Sequence, residues 1–507
     1  MSDSASAHVG QLSPDRKWRW DGNAWVPVGV PLPAWASLQL RSQATWAAVA
    51  SALILGVAAD QALRDGTIGL GASVTVACAV VALVLVGGLR RVESRLLLAA
   101  ATVFGAWLTV RASPWLLWPD AAAALLLLGL AASFSVKGSV VDIGLAESVA
   151  RGVSAALHGM AGAPFVARPV ARTRWRLAAM APVGRGLLIA IPIAALIAGL
   201  LASADPIFAS FLRINLDFSQ VLLDLVYVVA GALAAAGLLR LAAAAPIDRV
   251  DGPVWRLGTI EALVVLVGLD TVFAAFAIAQ AIAASGTGAA TLSAAGVTYA
   301  DYARSGFFQL LWVAGITLVV LVVFSRITGF ASRSGRLAFI VLAEVGIALT
   351  LLVVAVASTR LSLYESAYGF TMLRLYSHIF AGWIAVVFVL LAADIAGLWH
   401  QRRWFVGATA LTALGLLLAM NLANPEAIVV GLNTDRAMAS HKLDAQYLGE
   451  LSNDAAASLL ASQSRLEPAL AGNVHDVACV GSRTYTPSPA AFNWADAAAA
   501  QARRTGC

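Results

Sequence analysis

Acidic and amide side chains within long apolar stretches are the residues of this 507-residue chain best suited to chemistry. The candidates are Asp270, Asp224, Glu344 and Gln280. Asp270 lies near the middle of the stretch 260–284, where an ionised side chain in a bilayer costs roughly 2.5–3.5 kcal/mol. It must therefore point into a helix bundle, where it pairs with a donor or carries a proton. Two roles remain open for Asp270: a step in transport, or a hydrogen bond between helices.

A second set of candidates lies in three connections that hold more tyrosine, arginine and carboxylate side chains than a loop requires. They are Asp205, Asp301, Arg304, Arg360, Glu365, Tyr368 and Arg374. One interpretation is a single pocket on the outer face of a membrane, where these acids and bases pair. With Asp205, Asp301 and Glu365 as its acids, such a pocket would suit an enzyme acting on lipid-linked substrates. The alternative is an aromatic belt at the membrane interface with incidental charges.

Signatures of soluble enzymes are absent from the sequence. It contains no His-Glu-x-x-His zinc motif, no Gly-x-x-x-x-Gly-Lys-Ser/Thr phosphate loop and no Gly-x-Ser-x-Gly elbow. The six histidines are scattered at no metal-ligand spacing. We therefore expect no metal and no cofactor, and an enzyme is the less favoured class.

The elements that position these residues follow from composition. Hydrophobic residues make up 60% of the chain, charged residues make up 12%, and the mean hydropathy is +0.81. Soluble domains carry about 25% charged residues. Eleven stretches have roughly the 17–25 apolar residues that a membrane-spanning helix needs. They are 44–62, 67–89, 96–112, 116–134, 186–203, 219–241, 260–284, 307–325, 337–357, 378–398 and 405–422. The sequence predicts an all-α fold, a polytopic membrane protein with about eleven transmembrane helices within residues 41–422.

Basic residues alternate between the two sides of this predicted bundle. One side holds 22 arginines and lysines, and the loops of the other side hold 6. Because basic loops stay in the cytoplasm, the N-terminus is predicted inside, and an odd number of spans places the C-terminal tail outside. The pI of about 9.5 reflects these topology signals rather than one basic patch, so we expect no nucleic-acid partner.

Two further segments are predicted on the cytoplasmic side. In the tail 1–40, an Asp-Gly pair among the tryptophans of Trp18–Trp25 favours a small hairpin. A tryptophan-rich tail lying on the membrane is the alternative. The connection 135–185 joins a helical pattern to basic residues, which predicts an interfacial helix on anionic lipid. A protein-docking site is the alternative for this connection.

The C-terminal segment 423–507 is predicted to form a small helical domain on the outer membrane face, where a protein partner could bind. Asn424 followed by Pro425 is a well-formed helix start. Cys479 and Cys507 are the only thiols of this segment. Since the outside is oxidising, we predict a disulfide between them. It would close a loop of about 29 residues and contribute roughly 2–4 kcal/mol.

Several groups of residues in the connections and the tail form a shared pattern. They are Arg185-Gly186, Ser203-Ala204-Asp205-Pro206-Ile207-Phe208, Tyr302-Ala303-Arg304-Ser305-Gly306-Phe307-Phe308, Ala367-Tyr368-Gly369-Phe370-Thr371, Asn433, Arg436, Leu443-Asp444-Ala445-Gln446-Tyr447-Leu448 and Leu451-Ser452. On these residues the chain resembles a bacterial family of polytopic membrane proteins, domain of unknown function 4173, over roughly residues 90 to 470. The resemblance implies a multi-span membrane protein with an external tail, and it implies no activity. The tryptophan-rich N-terminus also resembles a short segment of many actinobacterial membrane proteins.

The sequence therefore favours an integral protein of the bacterial plasma membrane that acts in transport or as a scaffold or sensor. Transport depends on the intramembrane acids, and a scaffold or sensor depends on the external tail and the basic connection. Convergence of the acids on one cavity would favour transport, and their dispersal would favour scaffolding. An external cluster of carboxylates would favour the enzyme.

Overall fold

The computed structural model describes residues 38–172, 218–247, 256–284, 306–399, 403–481 and 484–507. It also describes two short strands near the N-terminus and a few single positions, namely 11, 13, 186, 190, 193, 197, 201 and 250. The strands are β1 (Trp18–Trp20) and β2 (Trp25–Pro27). They pair antiparallel with Trp20 opposite Trp25, which is the hairpin arrangement.

Apolar helices make up the membrane part of the fold. In chain order the helices are α1 (Trp46–Leu63), α2 (Leu70–Leu85), α3 (Val92–Val110), α4 (Pro114–Ser133), α5 (Leu145–Met160), α6 (Gly162–Arg172), α7 (Phe218–Ala242), α8 (Thr259–Ala284), α9 (Phe307–Ile327), α10 (Arg333–Tyr368), α11 (Met372–Ile395) and α12 (Phe405–Ala423). Within the described residues, nine are long and apolar enough to cross a membrane, and α2 is apolar but shorter. The chain is therefore a multi-pass membrane protein with a nearly all-α fold.

Ten of the eleven predicted stretches coincide with a helix, and the fifth, 186–203, lies outside the described residues. The largest difference concerns the stretch 337–357, which is only the middle of the 36-residue helix α10. This helix begins with Ser332, whose side chain accepts a hydrogen bond from the amide of Gly335. It continues to Tyr368 because its last turns pack against other protein segments rather than ending at the edge of the apolar stretch.

The membrane helices form two halves, each with its own apolar core. In the first half, α1 to α4 and α7 enclose one set of buried residues, including Leu83, Phe104 and Leu127. In the second half, α8 to α11 enclose another, including Leu266 and Phe388. Helix α12 lies between the halves and packs against α4 on one side and α11 on the other.

Small residues allow the closest helix contact of the first half. A Cβ atom added at Gly56 of α1 would lie 2.4 Å from the carbonyl oxygen of Val228 on α7. One added at Gly231 of α7 would lie 2.6 Å from the side chain of Ala59. Because lipid is as apolar as a leucine side chain, close backbone packing of this kind stabilises helix pairs in membranes. Helices α1 and α7 therefore form a tight pair although 154 residues separate their ends.

The segment from 425 to 507 folds into five further helices on one end of the bundle, which we call the C-terminal helices. They are α13 (Pro425–Ser440), α14 (Ala445–Gly449), α15 (Ala456–Ser462), α16 (Pro468–Ala478) and α17 (Trp494–Gly506). At the start of α13, the side chain of Asn424 accepts a hydrogen bond from the amide of Ala427, as the sequence predicts. Cys479 and Cys507 form a disulfide, in agreement with the prediction.

We call the bundle end that carries the C-terminal helices the tail end, and the opposite end the loop end. At the loop end, Arg91 donates to the carbonyl oxygens of Phe134 and Gly138. There the backbone amide of Arg403 also donates to Asp142. Connections predicted to share a side therefore meet at the same end of the bundle.

Helices α5 and α6 lie at the loop end and belong to the basic connection 135–185. Helix α5 turns Glu147, Arg151 and His158 toward the protein, where all three are buried, and leaves Val149 and Met160 exposed. A helix at a water-exposed surface turns its apolar residues inward and its charged residues outward, and α5 has the opposite arrangement. Lipid at the membrane surface could cover such a face.

Candidate functional site

The four intramembrane candidates do not meet in one helix interface: Asp224 lies between α1 and α7, and the other three lie on α8 and α10. Asp224 of α7 forms an ion pair with Arg64 at the end of α1, and it also accepts a hydrogen bond from Gln220 at 2.9 Å. Asp270 of α8 faces α10, far from that pair. Arg360 donates to Gln280 over 3.3 Å. Glu344 of α10 is half-buried.

Since Asp224 belongs to the first half and Asp270 to the second, these acids do not share one cavity within the described residues.

The external candidates are only partly described. Asp205, Asp301 and Arg304 lie outside the described residues. Glu365, at the tail end of α10, is buried, and its Oε2 atom lies 2.9 Å from Nε2 of His378 on α11.

The two remaining external candidates contact aromatic rings instead of acids. Arg374 lies over the ring of Tyr364, 4.2 Å from the ring centroid, and donates to the carbonyl oxygen of Gly369. Tyr368 is exposed and packs on the ring of Tyr364. Within the described residues, therefore, the partner of Glu365 is a histidine rather than one of the predicted arginines.

A set of polar residues that the sequence did not single out as a site binds the connection between α10 and α11. The side chain of Asn433 donates to the carbonyl oxygen of Phe370 at 2.8 Å and accepts from its amide at 3.0 Å. Arg436 donates to the carbonyl oxygen of Ala367 at 2.7 Å. The hydroxyl of Tyr447 accepts from the amide of Met372 at 2.7 Å. We call Asn433, Arg436 and Tyr447 the loop clamp; it joins the C-terminal helices to the second half.

A second contact joins the C-terminal helices to the first half. The carboxylate of Asp454 accepts hydrogen bonds from the backbone amides of Ala112 and Ser113, at 2.8 and 2.7 Å, just before α4 begins. It also lies 3.4 Å from the guanidinium group of Arg111. Asn493 donates to the carbonyl oxygen of Arg111 at 2.8 Å. We call Asp454, Arg111 and Asn493 the Asp454 anchor.

The position of Asp454 suits a negative charge. Backbone amides at a helix start have no partner within the helix and carry partial positive charge. A carboxylate that accepts two of them, with an arginine beside it, satisfies all of these groups at once.

Below this anchor, two fully buried polar side chains connect α4 and α12. The Nδ2 atom of Asn421 donates to Oδ1 of Asp120 at 2.7 Å, and neither residue is exposed. Arg111 donates through Nε to the carbonyl oxygen of Asn421 at 2.9 Å. Nearby, the hydroxyl of Tyr376 on α11 donates to the carbonyl oxygen of Trp115. Polar groups from both halves and from the bridging helix α12 therefore meet at the tail end.

A cleft of about 520 Å³ opens between the start of α4, the start of α11 and the C-terminal helices. Its walls are Pro114, Trp115, Thr371, Met372, Leu373, Glu426, Tyr447, Glu450, Leu451 and Ser452. Burial raises the pKa of Glu426, although its Oε2 atom accepts a hydrogen bond from Ser452 at 2.7 Å. Burial also raises the pKa of Tyr447. With two carboxyl groups, hydroxyls and an indole wall, the cleft is rich in hydrogen-bond acceptors and suits an amine or a polyhydroxylated group.

The loop clamp, Asp454 and the walls of the cleft all fall within residues 97–461, which match one family model. That match covers more than half of the chain and runs from α3 to α15. The chain belongs to the DUF4153 family. This family is described as a domain of unknown function. Searches of curated proteins and of solved structures return no match to the chain.

The family match corrects one expectation from the sequence. The resemblance pointed to domain of unknown function 4173, whereas the matching family is DUF4153; both describe a domain of unknown function. Segments such as Ala367–Thr371 and the residues Asn433 and Arg436 specify a contact between a membrane connection and the C-terminal helices.

The sequence offered only partial signals for this site. Asn433, Arg436 and Tyr447 appeared in the resemblance but not among the candidate residues, because an amide or a phenol in a helix carries no chemical signature by itself. Asp120 lies inside an apolar stretch and could have been chosen by the reasoning applied to Asp270. Within the described residues, no group of His, Cys, Asp or Glu side chains could hold a metal ion.

Proposed function

We propose that this DUF4153 protein is a sensor or scaffold of the bacterial plasma membrane, in which the C-terminal helices latch two transmembrane halves together. One observation carries the proposal: the C-terminal helices bind the second half through the loop clamp and the first half through the Asp454 anchor. A segment held to both halves responds to any change in their relative position.

The tail end faces the outside of the cell in this proposal. The 22-to-6 distribution of basic residues supports this orientation. The disulfide supports it as well, because disulfides persist in oxidising compartments. The loop end then faces the cytoplasm, where exposed Arg168 and Arg172 of α6 would contact anionic lipid.

The cleft at the tail end is where an external ligand or protein partner would act. Its walls come from α4, from the start of α11 and from the C-terminal helices, so an occupant would touch both halves and the latch at once. A ligand shifts an equilibrium only when it binds one state more tightly than the other. The walls of this cleft come from both halves and from the C-terminal helices, so its shape changes when they move relative to one another, and the affinity for an occupant changes with it.

Complementation tests this function. Asn433→Ala with Arg436→Ala removes two hydrogen bonds to the connection between α10 and α11 and two to the last turn of α10. We expect this variant to reach the membrane in normal amount and fail to restore the phenotype caused by deletion of the protein. Met438→Ala, a change at an exposed residue on the same helix, is the matched control and should restore it. Full complementation by the double variant would refute the latch.

Proton-coupled transport is a second candidate, favoured by one observation. Asp270 is buried between membrane helices, and neither of its carboxyl oxygens has a hydrogen-bond partner within the described residues. Purified protein in vesicles with a pH-sensitive dye would test it. Proton movement that Asp270→Asn abolishes would favour transport over the latch.

The enzyme alternative depends on Asp205, Asp301 and Glu365. Glu365 is buried against His378, which leaves it poorly placed to meet a substrate in this conformation.

A further inference from the structure

Asp270 occupies a position in which a charged carboxylate has nothing to stabilise it. Only 8% of the residue is exposed, and neither Oδ1 nor Oδ2 has a hydrogen-bond partner within the described residues. Its carboxyl group lies against the backbone of Gly346 on α10, since a Cβ atom there would be 2.8 Å from Oδ1. The missing side chain of the glycine provides the space that the carboxyl group fills.

Within the described residues, no cation from the elements packed around Asp270 compensates its carboxyl group. On α8 the other acid is Glu261, at the loop end, and on α10 the nearest titratable residue is Glu344, also an acid. The nearest arginines of α10 on either side, Arg336 and Arg360, lie 10 and 14 residues from Gly346, which is about 15 and 21 Å along a helix.

The helices α9 and α11 share the core with α8 and α10. Arg374 of α11 lies over the ring of Tyr364 at the tail end, and the other charged residues of these two helices are paired. Arg326 of α9 and Asp394 of α11 pair with each other at 2.7 Å. His378 of α11 pairs with Glu365. Buried Leu266 and Ile347 lie near this contact in the chain, and the hydroxyl of buried Thr350 donates to the carbonyl oxygen of Gly346 rather than to Asp270.

From this geometry we infer that Asp270 is a proton-binding site, and that it holds a proton when α8 and α10 pack as they do here. A neutral carboxyl group can be buried at far lower cost than an unpaired carboxylate. Loss of the proton would require water or a donor to reach the carboxylate, so α8 would have to separate from α10 at Gly346.

This separation would reach the tail end. Helix α10 is continuous from Arg333 to Tyr368, and the loop clamp holds the residues that follow it. A shift of α10 at Gly346 would therefore move the connection bound by Asn433. The inference does not depend on the latch being a sensor, since the protonation of Asp270 can be measured by itself.

Infrared difference spectroscopy on the full-length protein tests the inference. An aspartate in water has a pKa of about 3.9, so roughly one molecule in a thousand carries the proton at pH 7. We expect the wild-type protein at pH 7 to show a protonated-carboxyl band that shifts with carbon-13 labelling of aspartate. The band should be lost in Asp270→Asn and kept in the matched control Glu344→Gln.

An unchanged band in Asp270→Asn would overturn the inference, as would the absence of a labelled aspartate band in the wild type at pH 7. If Asp270→Asn does not fold, an alkaline titration of the labelled protein decides, with Asp120→Asn in place so that this other buried aspartate does not contribute to the band. A band that persists well above pH 4 and then disappears with a change in helix packing supports the site. A band lost by pH 5 contradicts it.

Discussion

Replacement of Asp454 by alanine should release the C-terminal helices from the first half of the bundle. Asp454 accepts hydrogen bonds from the backbone amides of Ala112 and Ser113 and lies beside Arg111. The residue is only 8% exposed, so its removal leaves these donors buried without an acceptor. Each buried group left unsatisfied costs about 1–3 kcal/mol, and Arg111 keeps its hydrogen bond to the carbonyl oxygen of Asn421. Ala112 is only half-buried, so its amide contributes about 1 kcal/mol and that of buried Ser113 about 1–3 kcal/mol, a total loss of about 2–4 kcal/mol.

Hydrogen exchange followed by mass spectrometry measures this loss locally. If the C-terminal helices open as a unit, a loss of about 2–4 kcal/mol speeds exchange in α15 by roughly 30- to 1,000-fold. Asp454→Asn keeps one acceptor oxygen and should give an intermediate rate.

Asp435→Ala is the matched control, because it removes the same charge from the same set of helices. Asp435 pairs with Arg465, and both residues are about half exposed. Exposed pairs contribute about 0–1 kcal/mol, so exchange should rise by less than about 5-fold. Exchange in Asp454→Ala no faster than in Asp435→Ala would refute the reasoning that this anchor holds the C-terminal helices.

Three further predictions concern pH, redox state and helix packing. Burial raises the pKa of Glu426, so the neutral form of this side chain favours the folded state. Its contribution to the free energy of unfolding is complete below the ordinary pKa near 4.5 and is lost as pH rises through the raised pKa. Thermal melts from pH 4 to 8 should show Glu426→Gln gaining stability over the wild type as pH rises, and a constant difference would argue against this. A non-reduced digest should contain Cys479 and Cys507 as linked peptides, with free thiols at both positions as the contrary result. Gly56→Leu should lower the melting temperature clearly more than Gly129→Leu. A side chain at Gly56 would collide with the backbone of Val228, whereas Gly129 has open space beside it. Equal losses of melting temperature would contradict the close packing of α1 against α7.

Patterns that act over a few residues made much of the membrane fold predictable. Apolar length located ten helices, and the Asn424-Pro425 start of α13 has its predicted cap. The full length of α10 was not predictable, because its last turns are stabilised by contacts with distant segments rather than by their own hydropathy.

The site was less predictable because its contacts join residues far apart in the chain. Arg64 and Asp224 are separated by 160 positions. In the sequence each is only a charged residue near a helix end, and nothing there predicts that they pair. Asn433 and Asn493 form hydrogen bonds with backbone groups of other segments, and no local sequence pattern predicts that role. Glu365 was one of the candidate acids, but its partner His378 could be found only from the packing of α10 against α11.

A distance measurement across the tail end tests the latch most directly. One spin label at Thr67, just after α1, reports the position of the first half, and one at exposed Tyr368 reports that of the second half. Cys78→Ala removes the one free cysteine among the described residues, so that only the introduced cysteines are labelled. Electron–electron double resonance should give one narrow distance distribution in the otherwise wild-type protein and in the control Met438→Ala. The distribution should broaden when Asn433 and Arg436 are both replaced by alanine. A distribution that stays equally narrow in that double variant would contradict the claim that the C-terminal helices hold the two halves together.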